Sequence, residues 1–395
     1  MSTSAQTIAH PPPSAVSPEI AAALQLMFAP GIEFRTRTAG RKTVAESDGG
    51  KRNRYFFAIL PNERSPRTLI PIQSGSCTRR ALQQIQVFAT GAKAAKLMLQ
   101  VVSAVGVLPT IAKTLDVSSD RGSSLFDKVA QLTGRPDVCF AVTFGTPSGY
   151  RKLTITAMLP DGEPVAFVKV PMATEAIARV EHEGEMLQAL SRTALVNCIP
   201  RVLFRGEWNG QTVLCISAGP AEASSMRFGA GHRAFLEKLW SVQPAARDGE
   251  SLVSEVAARL TAAMGPHTES AMPAGEALER VRLKLKGVKI SCGLSHGDFA
   301  PWNLRMGEKG MFAFDWEAAE CDQPTLWDIA HFDTQLVTLL GHKSRYHETA
   351  GGMDSAHELY LLYLLHSIAG ASLESGAASK QVGDRVRLLT NALRN

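Results

Sequence analysis

The sequence predicts an α+β protein: a small antiparallel-sheet lobe with one helix, then a larger, mostly helical lobe, with an N-terminal extension in front. Three observations carry this. Strand-like segments with period-two alternation crowd into residues 138–217. One stretch of good helix formers, 176–190, interrupts them. Beyond Gly219-Pro220 strand signals nearly vanish, and HRAFLEKLW, SLVSEVAARLTAAM and ELYLLYLLHSIAG read as helices.

In chain order, residues 1–18 are Ser/Pro-rich and read as a disordered tail. Residues 19–136 form the extension, whose role the sequence leaves open. Within it, 38–53 reads as a loop, YFFAILP and TLIPIQ as strands around a turn-like NERSPR, and 79–106 as helical. The run Leu97–Leu108 is too short to span a bilayer, and a core helix is expected there in preference to an interfacial one. Residues 137–218 are the sheet lobe. VCFAVTFG, KLTITAML and PVAFVKV give three consecutive antiparallel strands, Thr174 is the expected cap of the helix that follows, and RVLFRGEW and QTVLCIS add two strands. Residues 219–395 are the helical lobe.

A hydrophobic content of 45% and a charged content of 20% suit a soluble globular chain, and a net charge of +5 is too mild to argue for nucleic acid. The charge is uneven, with eleven basic residues against three acidic ones between Arg35 and Arg80. That segment reads as a solvated surface, with weak contact to a membrane surface or an anionic polymer as the sharper option. The six cysteines form no CxxC pair, so free thiols are expected rather than a zinc site or a disulfide frame. Residues 1–19 carry no Lys or Arg before the apolar IAAALQLMFA, which argues against an export signal and for a cytoplasmic protein.

The densest chemistry lies in LSHGDFAPWNLRMGEKGMFAFDWEAAE, residues 294–320. Carboxylates this close repel one another unless a cation or a proton sits between them. Asp298 and Asn303 have four residues between them, the H-x-D-x-x-x-x-N spacing of a kinase catalytic loop, and the apolar MFAF delivers Asp315 at its end. Asp298 suits orienting or deprotonating a hydroxyl, and the oxygens of Asn303 and Asp315 suit Mg²⁺. Upstream, TFGTPSGYRK puts Gly145 and Gly149 in a hairpin loop whose amides can cover phosphates, although such hairpins are common without a ligand. Lys169 ends a hydrophobic strand on the face of Phe167, which suits a phosphate-binding lysine held by a carboxylate or simply a lysine reaching into water. Of Glu181, Glu183 and Glu185, Glu183 follows the stripe of Leu187 and Leu190 and is the expected partner of Lys169.

HGDFAPWN followed by DWE resembles the aminoglycoside phosphotransferase and choline kinase superfamily, over about residues 137–395. The resemblance implies a bilobal protein-kinase-like fold and an ATP- and Mg²⁺-dependent phosphotransferase with an alcohol acceptor. It implies Asp298 as catalytic base, Asn303 and Asp315 as metal ligands with Glu317 as accessory acid, and Lys169 with Glu183 as the ion pair. It also implies His296 as a loop-shaping residue and Ser217 and Ala218, within VLCISAGP, as the hinge that receives adenine. PTLWDIA fits the family's downstream helix start, where Asp328 is expected to cap a helix. GTPSG departs from the G-x-G-x-x-G of protein kinases.

The acceptor expected is a small molecule bearing a hydroxyl, such as a sugar or amino sugar. Glu320, Asp322 and Asp333 would suit a cationic acceptor, and Trp302, Trp316 and Trp327 a choline-like one, with Trp316 the best candidate for core instead. A non-catalytic nucleotide-binding scaffold is the alternative. A metallophosphatase would need more clustered His than the lone His296 of this region.

Overall fold

The computed structural model describes residues 16–30, 32–37, 52–85, 90–104, 106–265, 271–353 and 355–394. Residues 1–15 of the expected tail and most of the expected 38–53 loop lie outside them; the end of that tail is ordered instead, Ser17 capping a helix that begins at Pro18. Two compact units emerge. The first comprises Met1–Thr146, Arg151–Met172 and Leu203–Ile216; the second comprises Pro147–Tyr150, Ala173–Val202 and Ser217–Asn395. The fold class is α+β with antiparallel sheets, as the patterning predicts.

The first unit is built on a nine-stranded sheet. Its strands are β1 (Glu33–Arg37), β2 (Arg52–Leu60), β3 (Thr68–Pro71), β4 (Thr114–Asp120), β5 (Cys139–Phe144), β6 (Lys152–Met158), β7 (Pro164–Pro171), β8 (Val202–Trp208) and β9 (Gln211–Ser217). The spatial order is β1-β4-β2-β3-β5-β6-β7-β9-β8, and the ladders from β1 to β7 are antiparallel. Residue 136 is not a break in this sheet, because Thr68 of β3 pairs with Thr143 of β5. The strands before 136 thus occupy an edge that β5 would otherwise expose.

Pleating sorts the side chains into two cores. Phe57, Ile59, Phe140 and Val142 face one way, onto α1 (Pro18–Met27) and a later helix, Leu125–Thr133. Ala58, Leu60 and Ala141 face the other way, onto α2 (Gly75–Gln84) and onto Leu108 of the short α4 (Leu108–Ile111) that follows α3 (Thr90–Ala104). Phe126 of the later helix, α5 (Leu125–Thr133), stacks on Phe140 at 4.3 Å and 6°. α3 departs from expectation. Leu99 and Val102 pack inward, but Leu97, Met98 and Val101 are 63%, 71% and 58% exposed, so one apolar face has no core to enter.

The second unit holds α6 (Thr174–Leu190), α7 (Ala230–Trp240), α8 (Gly249–Met264), α9 (Ala271–Lys284), α10 (Trp327–Leu340), α11 (Tyr346–Ala350), α12 (Ala356–Ser375) and α13 (Lys380–Leu393). Thr174 is the first helical residue of α6 rather than its cap; that place falls to Ala173, which makes no side-chain bond. α12 is apolar nearly all round and forms the centre, packed by α8, α9 and α13. Strand content here exceeds expectation. β10 (Glu222–Ala223), β13 (Leu304–Gly307) and β14 (Gly310–Ala313) form one small sheet, and β11 (Ala245–Asp248), β12 (Lys289–Ser295) and β15 (Glu320–Pro324) another. These ladders are four residues or fewer in most places, too short for periodicity to register. Among the described residues no helix is long and apolar enough to cross a membrane.

Candidate active site

Two loops, each following a strand of the second unit, assemble the site. β12 ends at Ser295 and β14 at Ala313, so the HGD and DWE segments begin where their strands stop. The HGD loop is fastened from below by Asp328. That side chain is 1% exposed and accepts from Ser295 Oγ at 2.9 Å, His296 N at 2.9 Å and Gly297 N at 3.1 Å. The cap expected of Asp328 is therefore corrected: α10 has Leu326 at its N-cap with no side-chain bond, and Asp328 serves the loop. A carboxylate meeting three converging donors is stabilised more by them than by one helix terminus.

Gly297 makes the tight turn possible. Its φ is +77°, and a Cβ there would lie 1.9 Å from the Ala318 carbonyl oxygen. His296 is wholly buried. Its Nε2 lies 2.8 Å from Phe314 O and its Nδ1 accepts from Asp298 N at 3.3 Å, which sets the neutral Nε2–H tautomer. Burial, the largest influence, holds its pKa below the usual range. Through this ring the HGD loop is tied to the residue preceding Asp315.

Asp298 is held by both carboxylate oxygens. Oδ2 accepts from Asn303 Nδ2 at 2.8 Å, and Oδ1 lies 2.8 Å from His331 Nε2. Its side chain is 35% exposed, open enough to meet a second molecule. Asn303, 8% exposed, also gives Nδ2 to Asp298 O at 3.0 Å, which leaves Oδ1 as the atom able to turn to a cation. The backbone closes the arrangement, Phe314 N donating to Asn303 O at 2.9 Å.

Asp315 has φ +65°, a left-handed conformation that is uncommon outside glycine and costs of order 1–3 kcal/mol. Glu183 of α6, Asp315 and Glu317 bring ligand oxygens within 4.8 Å of one another, Glu183 being fully buried. Arg179 Nη1 lies 3.8 Å from Glu317 and Nη2 2.5 Å from Glu374, with its guanidinium 3.5 Å over the Tyr150 ring. Three hard carboxylate oxygens in this geometry suit a small divalent cation. Of the four glutamates on α6, Glu183 faces inward while Glu175, Glu181 and Glu185 are exposed.

Lys169, opposite Thr154 on β7, is 6% exposed, so the reading of a lysine reaching into water is set aside. Gly145 donates its N–H to Lys152 O at 2.9 Å, which spends that amide in the hairpin. A Cβ there would lie 2.9 Å from the same oxygen, so the hairpin alone explains the glycine. At Gly149 a Cβ would meet the Glu175 carboxylate at 3.2 Å, and an anion there opposes a phosphate. Ser217 exchanges bonds with Arg201, donating N–H to its carbonyl at 2.8 Å and accepting its N–H on Oγ at 3.0 Å. Ala218 lines a cavity of about 550 Å³ together with Gly219, Pro220 and Phe312. Trp316 is fully buried, as core. Asp333 is buried and bonded to Ser344, Arg345 N and Tyr360, so it is committed to structure.

Sequence reasoning missed His331 and Tyr363. Tyr363 Oη lies 2.9 Å from His331 Nδ1, continuing the chain that ends on Asp298. The signal was available in part: His331 follows Asp328 by three residues in a helix, which puts both on the face turned to the HGD loop. A cavity of about 300 Å³ opens beside them, lined by Gly297, Glu317, Trp327, His331, Tyr363 and Glu374. A larger one, about 710 Å³, is lined by Ile329, Phe332 and Leu336, on another face of α10 from His331.

No family model and no curated protein matches the chain. Solved structures do. An aminoglycoside phosphotransferase APH(2")-IIIa, in complex with GDP and kanamycin, aligns at a TM-score of 0.46 and 12% identity, over 69% of this chain and 99% of that one. A thermostable mutant of aminoglycoside phosphotransferase APH(4)-Ia in its apo form gives 0.48 and 13%, over 67% and 97%. Choline kinase LicA from Streptococcus pneumoniae gives 0.45 and 10%, over 68% and 96%. At these scores the likeness decides nothing about the reaction, which has to be read from the site itself.

Proposed function

We propose that the chain is a phosphotransferase that moves the γ-phosphoryl group of ATP onto a hydroxyl of a small molecule, using Mg²⁺. The observation that carries this is Asp298: a part-exposed carboxylate gripped on both oxygens, beside an Asn303 whose Oδ1 is turned away from it, in the unit that also holds Glu183, Asp315 and Glu317 together. Asn303, Asp315 and Glu317 would hold the cation, with Glu183 as a further carboxylate. Bound there, Mg²⁺ offsets charge on the nucleotide's phosphates and on the group in transfer.

The rest falls to this chain's own side chains. Asp298 orients the acceptor hydroxyl and takes its proton as the new O–P bond forms and the bond to ADP breaks. His331 fixes the carboxylate's angle through Oδ1, and Asn303 through Oδ2. Lys169 enters as the cation for the nucleotide's non-transferring phosphates and Ala218 as the edge of the adenine site, both from the sequence pattern. The cavity of about 300 Å³ beside His331 supplies room for the acceptor. Its lining mixes Arg179, Arg259 and Arg385 with Glu317, Glu320 and Glu374, which suits a polyhydroxylated acceptor of modest charge, such as a sugar or amino sugar.

The test is a mass-spectrometric search for new phosphorylated products after incubating the protein with Mg-ATP and a metabolite extract. Products should form with the wild type and be lost with Asp298→Asn and Asp315→Asn. Full product formation by either variant refutes the assignment. A second reading, a nucleotide-binding scaffold without catalysis, is favoured by Glu175 beside Gly149. Thermal stabilisation by Mg-ATP with no product from any acceptor would select it.

A further inference from the structure

We propose that α3 and α4 form a docking surface for anionic membranes, a role separate from the reaction above. The first observation is the outer face of α3. Ala94, Leu97, Met98 and Val101 follow i, i+3, i+4, i+7 spacing and all are exposed. Val107 and Ile111, 40% and 54% exposed, continue the apolar surface through the next turn and α4. Five of the thirteen large hydrophobics exposed among the described residues fall in this span, so it is a patch rather than scatter.

Charge is the second observation. Between Glu63 and Asp116 the sequence has no acidic residue and seven basic ones. Lys113 is paired with Glu63, and Lys96 Nζ donates to Gln83 O and Ile85 O at 2.7 Å each, tying α3 to the C-terminal end of α2. Arg64, Arg67, Arg79 and Lys93 are exposed. Asp161 acts on Cys77, in the first turn of α2, whereas Lys96 meets the last turn. The inner face of α3 is already anchored by Leu99 and Val102, so the outer face is presented on a fixed helix.

An apolar stripe on a helix whose own segment, residues 64–115, carries cations and no carboxylate matches the boundary between acyl chains and anionic headgroups. Leu97, Met98 and Val101 enter below the phosphates, while Lys93 and Arg79 remain among them. A second copy of the chain fits worse, since two such faces bring like charges together. A purely ionic polymer fits worse too, since it leaves the three apolar side chains in water.

The test is flotation of the full chain with vesicles of phosphatidylcholine containing about one-third phosphatidylglycerol, against vesicles of phosphatidylcholine alone. The wild type should float with the anionic vesicles, less with neutral ones, and less as salt is raised. The triple variant Leu97→Ser/Met98→Ser/Val101→Ser should lose about tenfold or more of the bound fraction with an unchanged unfolding curve, because all three side chains are exposed. Lys93→Glu should weaken binding and reduce its salt dependence. Wild type left at the bottom of the gradient with anionic vesicles, or a triple variant that floats equally well, overturns the proposal. So does a wild-type dimer in sedimentation that the triple variant makes monomeric, since the face would then belong to a second copy.

Discussion

Replacing Asp328 by Ala removes the acceptor of two buried donors, Ser295 Oγ and His296 N, and one of the two acceptors of the half-buried Gly297 N, which also donates to Ser295 Oγ at 3.1 Å. A hydrogen bond to a charged group contributes about 1.5–3 kcal/mol, and a buried donor left without a partner costs about 1–3 kcal/mol. The three bonds share one carboxylate and do not add, and Ser295 Oγ can rotate, so a loss of about 3–5 kcal/mol in the second unit is expected. For a unit of roughly 200 residues, at about 2–4 °C per kcal/mol, this corresponds to a fall of roughly 6–20 °C in its transition. Asp328→Asn keeps an acceptor but turns an NH₂ toward one of the donors, so it should recover part of the loss. Chemical denaturation followed by tryptophan fluorescence measures the free energy, and hydrogen exchange at 295–298 locates it. A loss below about 1 kcal/mol in Asp328→Ala, or unchanged protection of His296 N–H, would refute the claim that this side chain holds the loop.

Other changes test the remaining links. Gly297→Ala combines a left-handed φ of +77° with a Cβ placed 1.9 Å from a backbone oxygen, and should cost more than about 3 kcal/mol or abolish folding of the unit, as read by circular dichroism. His331→Ala should lower kcat about 5–30-fold with little change in the KM for ATP, because it frees one oxygen of a carboxylate that is partly solvated; His331→Gln should restore part of the rate. Burial holds the His232 pKa at about 4 against an ordinary 6.5, and its ring is committed as neutral, Nδ1 accepting from Gly229 N and Nε2 facing Ser224 Oγ. The unfolded chain therefore binds this proton first, so the contribution is complete above pH 6.5 and is lost as pH falls toward 4; His232→Gln should flatten that part of a stability–pH curve. Asp333, raised by burial, works in the opposite sense at the acid end, so the slope should be read as the difference between the wild type and His232→Gln.

Legibility in the sequence followed the range of the interaction. The order of strands and helices between 138 and 217 could be read because pleat and helix turn impose periods of two and 3.6 on neighbours in the chain. That Asp298, Asn303 and Asp315 lie close together could be read because the HGD loop and the strand end beside it fall within eighteen residues. Glu183 was singled out from two similar neighbours by helical spacing, and it is the buried one. What required the tertiary structure was every pairing set by packing between distant segments. β3 against β5 joins the front of the chain to the sheet, His331 and Tyr363 reach Asp298 from helices 33 and 32 residues apart in sequence from their partners, and Asp328 serves a loop rather than its own helix. The exposed face of α3 belongs here as well. Its apolar residues satisfy a helical period whether or not anything covers them, and only the positions of neighbouring elements decide whether such a face is core or surface.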